Sequence, residues 1–364
     1  MGRCAEAMRL VWGTVDGIVE ETGGAQWLTV SLDDSRPAAA VSYPALAGRC
    51  GEGDRVLLNT TAVDLGLGTG GHHVVVARSG EGVALDDPSS GHIMKLRYTP
   101  MQRDVLAVEE PASPAHELMA EARSLEGMPV VCCGLHSQVP LVAAAAKQQR
   151  PGLKIAYVMS DGAALPLAVS RLVPQLLEVG LIDTTITCGQ AFGGELEAVN
   201  VHSGLLAARH VAESDMAIVC IGPGIPGTAT PFGHGGVAQG EAINAVAALG
   251  GAPVAVLRVS FADTRPRHVP VSHQTLTALA EVALRPALVA VPALPAEQAD
   301  ALHAALESAG VWNLHRRRDV DVALPELRGI DVRTMGRGFD DDPAFFLAAA
   351  AAGLLGATEI EHGA

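Results

Sequence analysis

Apolar residues along this chain keep two different rhythms, and the change between them falls near residue 110. From Arg9 to about Glu110, the segments RLVWGTVDGIVEE, QWLTVSLDD, PAAAVSY, DRVLLNTTAVDL and HHVVVAR are short, rich in β-branched residues, and punctuated by Gly, Asp or Pro. Gly53-Asp54 forms a tight turn that opens one of these strands. The pattern predicts a small β-barrel, SH3-like or OB-like, over residues 1–110. GHIMKLRYTPMQ (Gly91–Gln102) alternates apolar and basic residues, which predicts a last strand with Lys95 and Arg97 on its outer face. EEPASPA, with Pro111 and Pro114, begins a linker over residues 111–127.

From Met128 onward, apolar runs alternate with Ala-rich amphipathic stretches. PVVCC, KIAYVM, TTITC, Met216–Ile221, PVAVLRVS, ALVAVPAL, RDVDVAL and GIDVRTM read as strands. Their lack of polar alternation suits a sheet covered on both faces. Between them, PLVAAAAKQQ reads as a helix capped by Ser137 and stopped at Pro151-Gly152. A helix from Pro166 to Gly180 is expected to kink at Pro174, and another runs from about Gly194 to Ala212. Further helices start near Gly235, at Ser272, in EQADALHAALESAG, and at Asp340-Asp341-Asp342-Pro343, where acids and proline suit a first turn. Repeated βα units of this length predict a doubly wound, mostly parallel α/β domain over residues 128–364, of the Rossmann-like class.

Charge narrows the partners. With 25 Lys and Arg against 40 Asp and Glu, the net charge is −15, which argues against nucleic acid or an anionic membrane surface. Six cysteines with no CxxC pair fit reduced thiols, and the opening MGRCAEAMRLVWG has no apolar signal core; a cytoplasmic protein is expected. The apolar run from Phe345 to Leu355 is too short to span a bilayer.

In so acidic a chain, a basic cluster is informative. Arg258, Arg265, Arg267, His268 and His273 fall within RVSFADTRPRHVPVSH, and planar guanidinium groups suit phosphate or carboxylate. Polar residues also gather after the other strands, at Leu135-His136-Ser137, at Ser160-Asp161-Gly162, at Gly189-Gln190 with Gly193-Gly194-Glu195, from Gly222 to His234, and at Met335-Gly336-Arg337-Gly338. That is where ligands bind in open α/β sheets. Gly222, Gly224 and Gly227 form G-x-G-x-x-G, yet Pro223 and Pro226 remove amides and the helix starts late, so a nicotinamide dinucleotide is disfavoured. Thr228, His234, Arg265, Arg267, His268 and His273, with these glycines, are the expected ligand-binding residues. His136, Asp161 and His202 are the acid/base candidates. Glu195 and His202, seven residues apart, would share a helix face. No metal is expected: HExxH is absent, and His116-Glu117 lacks its second histidine. No cofactor is named by the sequence.

The phrases GHIMKLRYTP, MPVVCCGLHS, YVMSDGAALPLAVS, TCGQAFGGELEAVN, GPGIPGT, RVSFADTRPRH and TMGRG together resemble an uncharacterised bacterial family, a domain of unknown function, over nearly the whole chain. The resemblance implies no activity. Members often read GTGT and SHH where this chain has Gly227-Thr228-Ala229-Thr230 and Ser272-His273-Gln274, which puts in question any role needing a second adjacent histidine. The expected function is an enzyme acting on, or a protein binding, a small phosphate- or carboxylate-bearing metabolite, as a monomer or homo-oligomer. The alternatives are a non-catalytic sensor or scaffold and a nucleotide-dependent oxidoreductase.

Overall fold

A computed structural model describes residues 8–67, 70–80 and 91–360; Cys4 and the reading of the first residues lie outside these. The chain forms two compact units. The first comprises residues up to Ser90 with Leu96–Asp104 and Ala168–Arg171, and the second takes Gly91–Lys95, Val105–Leu167 and Leu172 onward.

The first unit is a closed barrel of β1 (Leu10–Thr22), β2 (Ala25–Leu32), β3 (Pro37–Ser42), β4 (Arg55–Asn59) and β5 (His72–Arg78), in the order β1-β2-β3-β5-β4. β1 reaches both neighbours because two register shifts, at Val15/Gly17 and Ile18/Glu20, bend it across the barrel. Alternate residues face inward, so Val15, Leu28, Val30, Val56, Leu58 and Val75 make the interior. Five strands closed in this way match the OB-like expectation. The short helices α1 (Pro44–Ala47) and α2 (Thr61–Asp64) complete it, and Gly53 makes its turn at φ 85°.

Two short strands, β6 (Ile93–Lys95) and β7 (Arg103–Val105), and helix α3 (His116–Glu121) precede the second unit's sheet. That sheet has eight parallel strands: β8 (Pro129–Cys132), β9 (Ile155–Ser160), β10 (Thr184–Cys188), β11 (Leu196–Ala198), β12 (Met216–Ile221), β13 (Ala252–Ala255), β14 (Leu288–Pro292) and β15 (Arg316–Val320), in the order β11-β10-β9-β12-β8-β13-β14-β15. Successive residues of a central strand feed two separate cores. Met216, Ile218 and Cys220 join the core of α4 (Val139–Gln149), α5 (Leu172–Glu178) and α10 (Pro343–Glu359). Ala217 and Val219 join the core of α6 (Val201–His210), α7 (Val237–Ala248) and α9 (Ala296–Ser308). The sheet is therefore doubly wound. From β8 the chain leaves through α4 to β9 on one side; from β12 it leaves through α7 to β13 on the other. The crevice at the carboxyl ends of β8, β12 and β13 is the point where the winding reverses, the standard ligand position in such sheets. Among the described residues, no helix is long and apolar enough to cross a membrane.

Several local expectations are corrected. Ser137 does not cap α4; it lies in a 3-10 turn, and Gln138 Oε1 accepts the Gly134 and Leu135 amides. The helix expected from Pro166 is a 3-10 turn at Leu167–Val169 followed by α5, and Pro174 lies in the first turn of α5, where a missing amide costs nothing. Gly194–Ala212 is not one helix, because Leu196–Ala198 pairs with β10 before α6 begins at its Asn200 cap. GIDVRTM is not a strand; Thr334 and Arg337 close a turn through Met335 and Gly336, both at positive φ. Lys95 does not face outward. It is fully buried, with Nζ 3.2 Å from Glu197 Oε2 and 3.1 Å from the Ala198 carbonyl.

Candidate functional site

The chain leaves β13 through Arg258 and returns at Ser272. Ser260 donates its amide to the Pro270 carbonyl and Ser272 its amide to the Arg258 carbonyl, both at 2.9 Å, so the two arms are tied at the neck. The excursion between them carries Asp263, Arg265, Arg267 and His268. Asp263 is the anchor. Its buried carboxylate accepts Nε and Nη2 of Arg265 at 2.9 and 2.8 Å and Nη2 of Arg337 at 3.3 Å, and Arg258 Nη2 lies at 3.8 Å. The Arg265 hydrogen bonds hold its pKa well below the usual carboxylate range. Asp342, at the start of α10, accepts the Ser260 hydroxyl at 2.6 Å and Arg337 Nε at 3.2 Å. The 17-residue helix α10 thereby fixes the loop to the sheet.

Arg258, Arg265, Arg267, His268, His273 and Gln274 bound a cavity of about 100 Å³, with Gly227 and Met335 at its rim. Four guanidinium groups (Arg258, Arg265, Arg267, Arg337) meet two carboxylates, Asp263 and Asp342. Two positive charges remain without a counter-charge from this set. Arg267, exposed at the cavity, makes no ion pair or hydrogen bond among the described residues. Arg258 is 4% exposed and donates Nη1 to Gln274 Oε1 at 2.9 Å; burial, with Arg265 nearby, lowers its pKa to about 10.

Three histidine rings stand in a row. His234 and His273 have centroids 5.2 Å apart, and His273 and His268 are 5.4 Å apart. Burial, then the field of Arg258 and Arg265, lowers His268 to about 4, and burial also lowers His234 and His273. All three rings are therefore neutral at pH 7. His268 Nδ1 lies 2.7 Å from Ser272 Oγ, which also accepts the Gln274 amide at 3.3 Å. The hydroxyl has one hydrogen left to give; given to Nδ1, it puts the ring proton on Nε2. His234 Nε2 faces the Pro231 carbonyl at 2.8 Å, and a carbonyl only accepts, so Nε2 carries the proton. That leaves Nδ1 as a buried acceptor with no partner.

The glycine loop divides by role. Gly222 packs, since a Cβ there would meet the Ala164 carbonyl at 2.5 Å. Gly224 turns the chain at φ 85° with nothing within 4 Å of a Cβ. Gly227 lines the cavity, and its Cβ would come 3.1 Å from Gln274 Nε2. Thr228 is spent within the loop: its hydroxyl reaches Thr230 Oγ1 and the Gly233 carbonyl, both at 2.9 Å.

The acid/base candidates lie elsewhere. His136 is buried with Nδ1 2.9 Å from the Tyr157 hydroxyl, and burial lowers it to about 4. Asp161 is exposed and accepts the Gln190 amide at 2.8 Å. His202 is exposed in the first turn of α6, while Glu195 precedes β11, so the two do not share a helix face. None of the three lines the cavity. Sequence reasoning placed Arg337 among the polar strand ends without giving it a role, and it missed Gln274, Asp342 and Gln239 as site residues. Gln239 donates Nε2 to the Cys132 and Val256 carbonyls at 2.8 and 2.7 Å, tying α7 to the ends of β8 and β13, and its buried Oε1 has no partner. Among the described residues, no group of three His, Cys, Asp or Glu could hold a metal ion.

A family model described as a protein of unknown function (DUF3866) matches residues 39–353 of the 364. No curated protein and no solved structure matches the chain.

Proposed function

The chain belongs to the DUF3866 family of proteins of unknown function, and we propose that it acts on, or binds, a small phosphate- or carboxylate-bearing metabolite at the carboxyl edge of its eight-stranded sheet. The observation that carries this reading is the cluster of four guanidinium groups against the two carboxylates of Asp263 and Asp342 beside a small cavity. Arg258, Arg265 and Arg337, buried or half-buried, share two carboxylates, a shortfall of one that is costly unless an anion completes the set, and the exposed Arg267 adds a second positive charge. The surplus of two favours a dianion. His268 and His273, neutral and at the cavity wall, are its available proton carriers; Arg267 and Arg258 hold charge. In this reading the protein works in the cytoplasm, as a monomer or homo-oligomer, and neither nucleic acid nor a membrane surface suits a chain of net charge −15.

The second reading is a non-catalytic sensor, and it has its own observation: His136, Asp161 and His202 all stand away from the cavity wall. A nucleotide-dependent oxidoreductase has less support, since Pro223 and Pro226 interrupt the loop and α7 starts only at Val237. Thermal denaturation with phosphate, sulfate, citrate and NAD tests the proposal. An anion at a hundred times its Kd should add about 2.7 kcal/mol, a rise of roughly 5–10 °C in Tm. The largest shift coming from NAD, or no shift from any anion, would refute it. Turnover of a bound organic phosphate separates enzyme from sensor.

A further inference from the structure

The anion cavity opens beside a second, larger space. A groove of about 500 Å³ runs along α8 (His273–Thr277) and the π-helical turn Ala278–Val282 that continues it. Ala229, Arg267 and His273 border both the cavity and the groove, so the two are contiguous. Their linings differ. The cavity is lined chiefly by guanidinium, imidazole and amide groups, with Ile225 and Met335 beside them, whereas Pro231, Leu276, Ala280 and Ala309 give the groove carbon surface. Thr277 and Glu281 are its polar marks. The sizes differ in kind as well. About 100 Å³ is below the range of small-molecule sites and suits one anionic group; about 500 Å³ lies within that range. A π-helical turn is rare in helices and frequent at functional sites, and here it leaves Ala280 and Glu281 exposed on the groove.

Resting on the function proposed above, we infer that the ligand is an organic phosphate with one charged end: a monoester whose phosphate fills the arginine cavity and whose largely apolar or aromatic body lies in the groove over Leu276 and Ala280. Arg267 stands between the two, able to hold the phosphate and to cover the ring face beside it. Glu281, exposed on the groove, disfavours a second anionic group at the far end of the body. The groove's occupant is thus the rest of the molecule that the arginines hold, and the specificity of the site lies in α8 and the π turn.

Isothermal titration of the full chain with inorganic phosphate, methyl phosphate, phenyl phosphate and 4-carboxyphenyl phosphate tests this. Phenyl phosphate is expected to bind about tenfold or more tighter than inorganic phosphate, because burying an aromatic ring is worth that much. The 4-carboxy compound should lose part of the gain and recover it in Glu281→Gln. Ala280→Trp, at an exposed position, should remove the gain of phenyl phosphate and leave inorganic phosphate unchanged. If phenyl and inorganic phosphate bind alike, or the gain survives Ala280→Trp, the groove carries no ligand body and this inference fails while the anion site stands. Failure of inorganic phosphate and every ester to bind overturns the anion site and this inference together.

Discussion

The two halves of the sheet's carboxyl edge carry similar residues to different ends. On the β9, β10 and β11 half the carboxylates Asp161, Glu195 and Glu197 outnumber the one cation, Lys95, and accept backbone amides. Asp161, after β9, accepts the Gln190 amide; toward the amino ends of β10 and β11, Thr185 and Glu195 exchange hydrogen bonds at 3.1 and 3.2 Å, and Glu197 takes the Gly193 amide at 2.7 Å and lies 3.2 Å from Lys95 Nζ. At the ends of β8, β12 and β13, arginines outnumber their carboxylates; each half also buries acceptor atoms without partners among the described residues, Glu197 Oε2 on the first and His234 Nδ1 and Gln239 Oε1 on the second. Both halves look alike as a list of Gly, His, Asp and Arg after strands. Stoichiometry separates them. One half is left with carboxylate in excess and the other with guanidinium, so of the two only the second suits an anion.

Removing one carboxylate on each side should break that comparison most sharply. Asp263→Ala leaves the buried Arg258, with Arg265 and Arg337, without their shared partner, which should cost about 3–5 kcal/mol of stability in chemical denaturation. Asp161→Ala removes one exposed acceptor and should cost about 1 kcal/mol. Equal losses would mean that both halves are structural networks of the same kind.

The fold was largely legible because burial on both faces leaves a strand no polar residue to misread. Met216–Ile221 is a strand with the bounds its apolar run implies, and Asp342-Pro343 starts the last helix for the reason its residues suggest. Errors arose where a partner lies far along the chain. Lys95 alternates with apolar neighbours like an outward residue, but the Ala198 carbonyl that takes its ammonium is 103 positions away. GGELEAVN reads as a helix start, yet Glu195 and Glu197 turn to Thr185, Gly193 and Lys95 while Leu196 and Ala198 take the ladder to β10. In the candidate site, only the residues contiguous in sequence were legible as a cluster. Arg258 to His273 is one contiguous loop, so its cluster shows in the sequence, whereas Arg337 reaches Asp263 across 74 positions. His136, Asp161 and His202 matched the chemistry of a proton carrier, a local property that says nothing of which side of the crevice each occupies.

Two arginines two positions apart in the sequence sharpen the contrast further. Arg265 is held in a fork by Asp263, and Arg267 has no partner among the described residues. Arg267→Ala should therefore weaken phosphate binding by about 1.5–3 kcal/mol, measured by titration, with Tm unchanged. Arg265→Ala should lower both affinity and Tm. His202→Ala, on the opposite half, should change neither. A fall in Tm for Arg267→Ala without loss of affinity would make it a structural residue and weaken the claim of spare charge.

The smallest effect is a dependence on pH, best read with sulfate, which keeps its two charges across the range. Free His268 is neutral above its pKa of about 4, lowered by burial and by Arg258 and Arg265, with Arg267, Asp263 and His273 also around it. An anion in the cavity favours the protonated ring, so the bound state has the higher pKa and holds more protons. Binding must then strengthen as pH falls. If the anion lifts His268 to about 6, affinity should rise about tenfold from pH 7 to pH 5 and be nearly flat above pH 7. Replacing the ring in His268→Gln should flatten most of that rise, leaving whatever His234 and His273 contribute from their own lowered values. The opposite half of the edge provides the control, because Asp161→Asn should leave the profile untouched. Sulfate affinity that is independent of pH, or that weakens on acidification while the protein stays folded, would place the anion away from His268 and out of the arginine cavity.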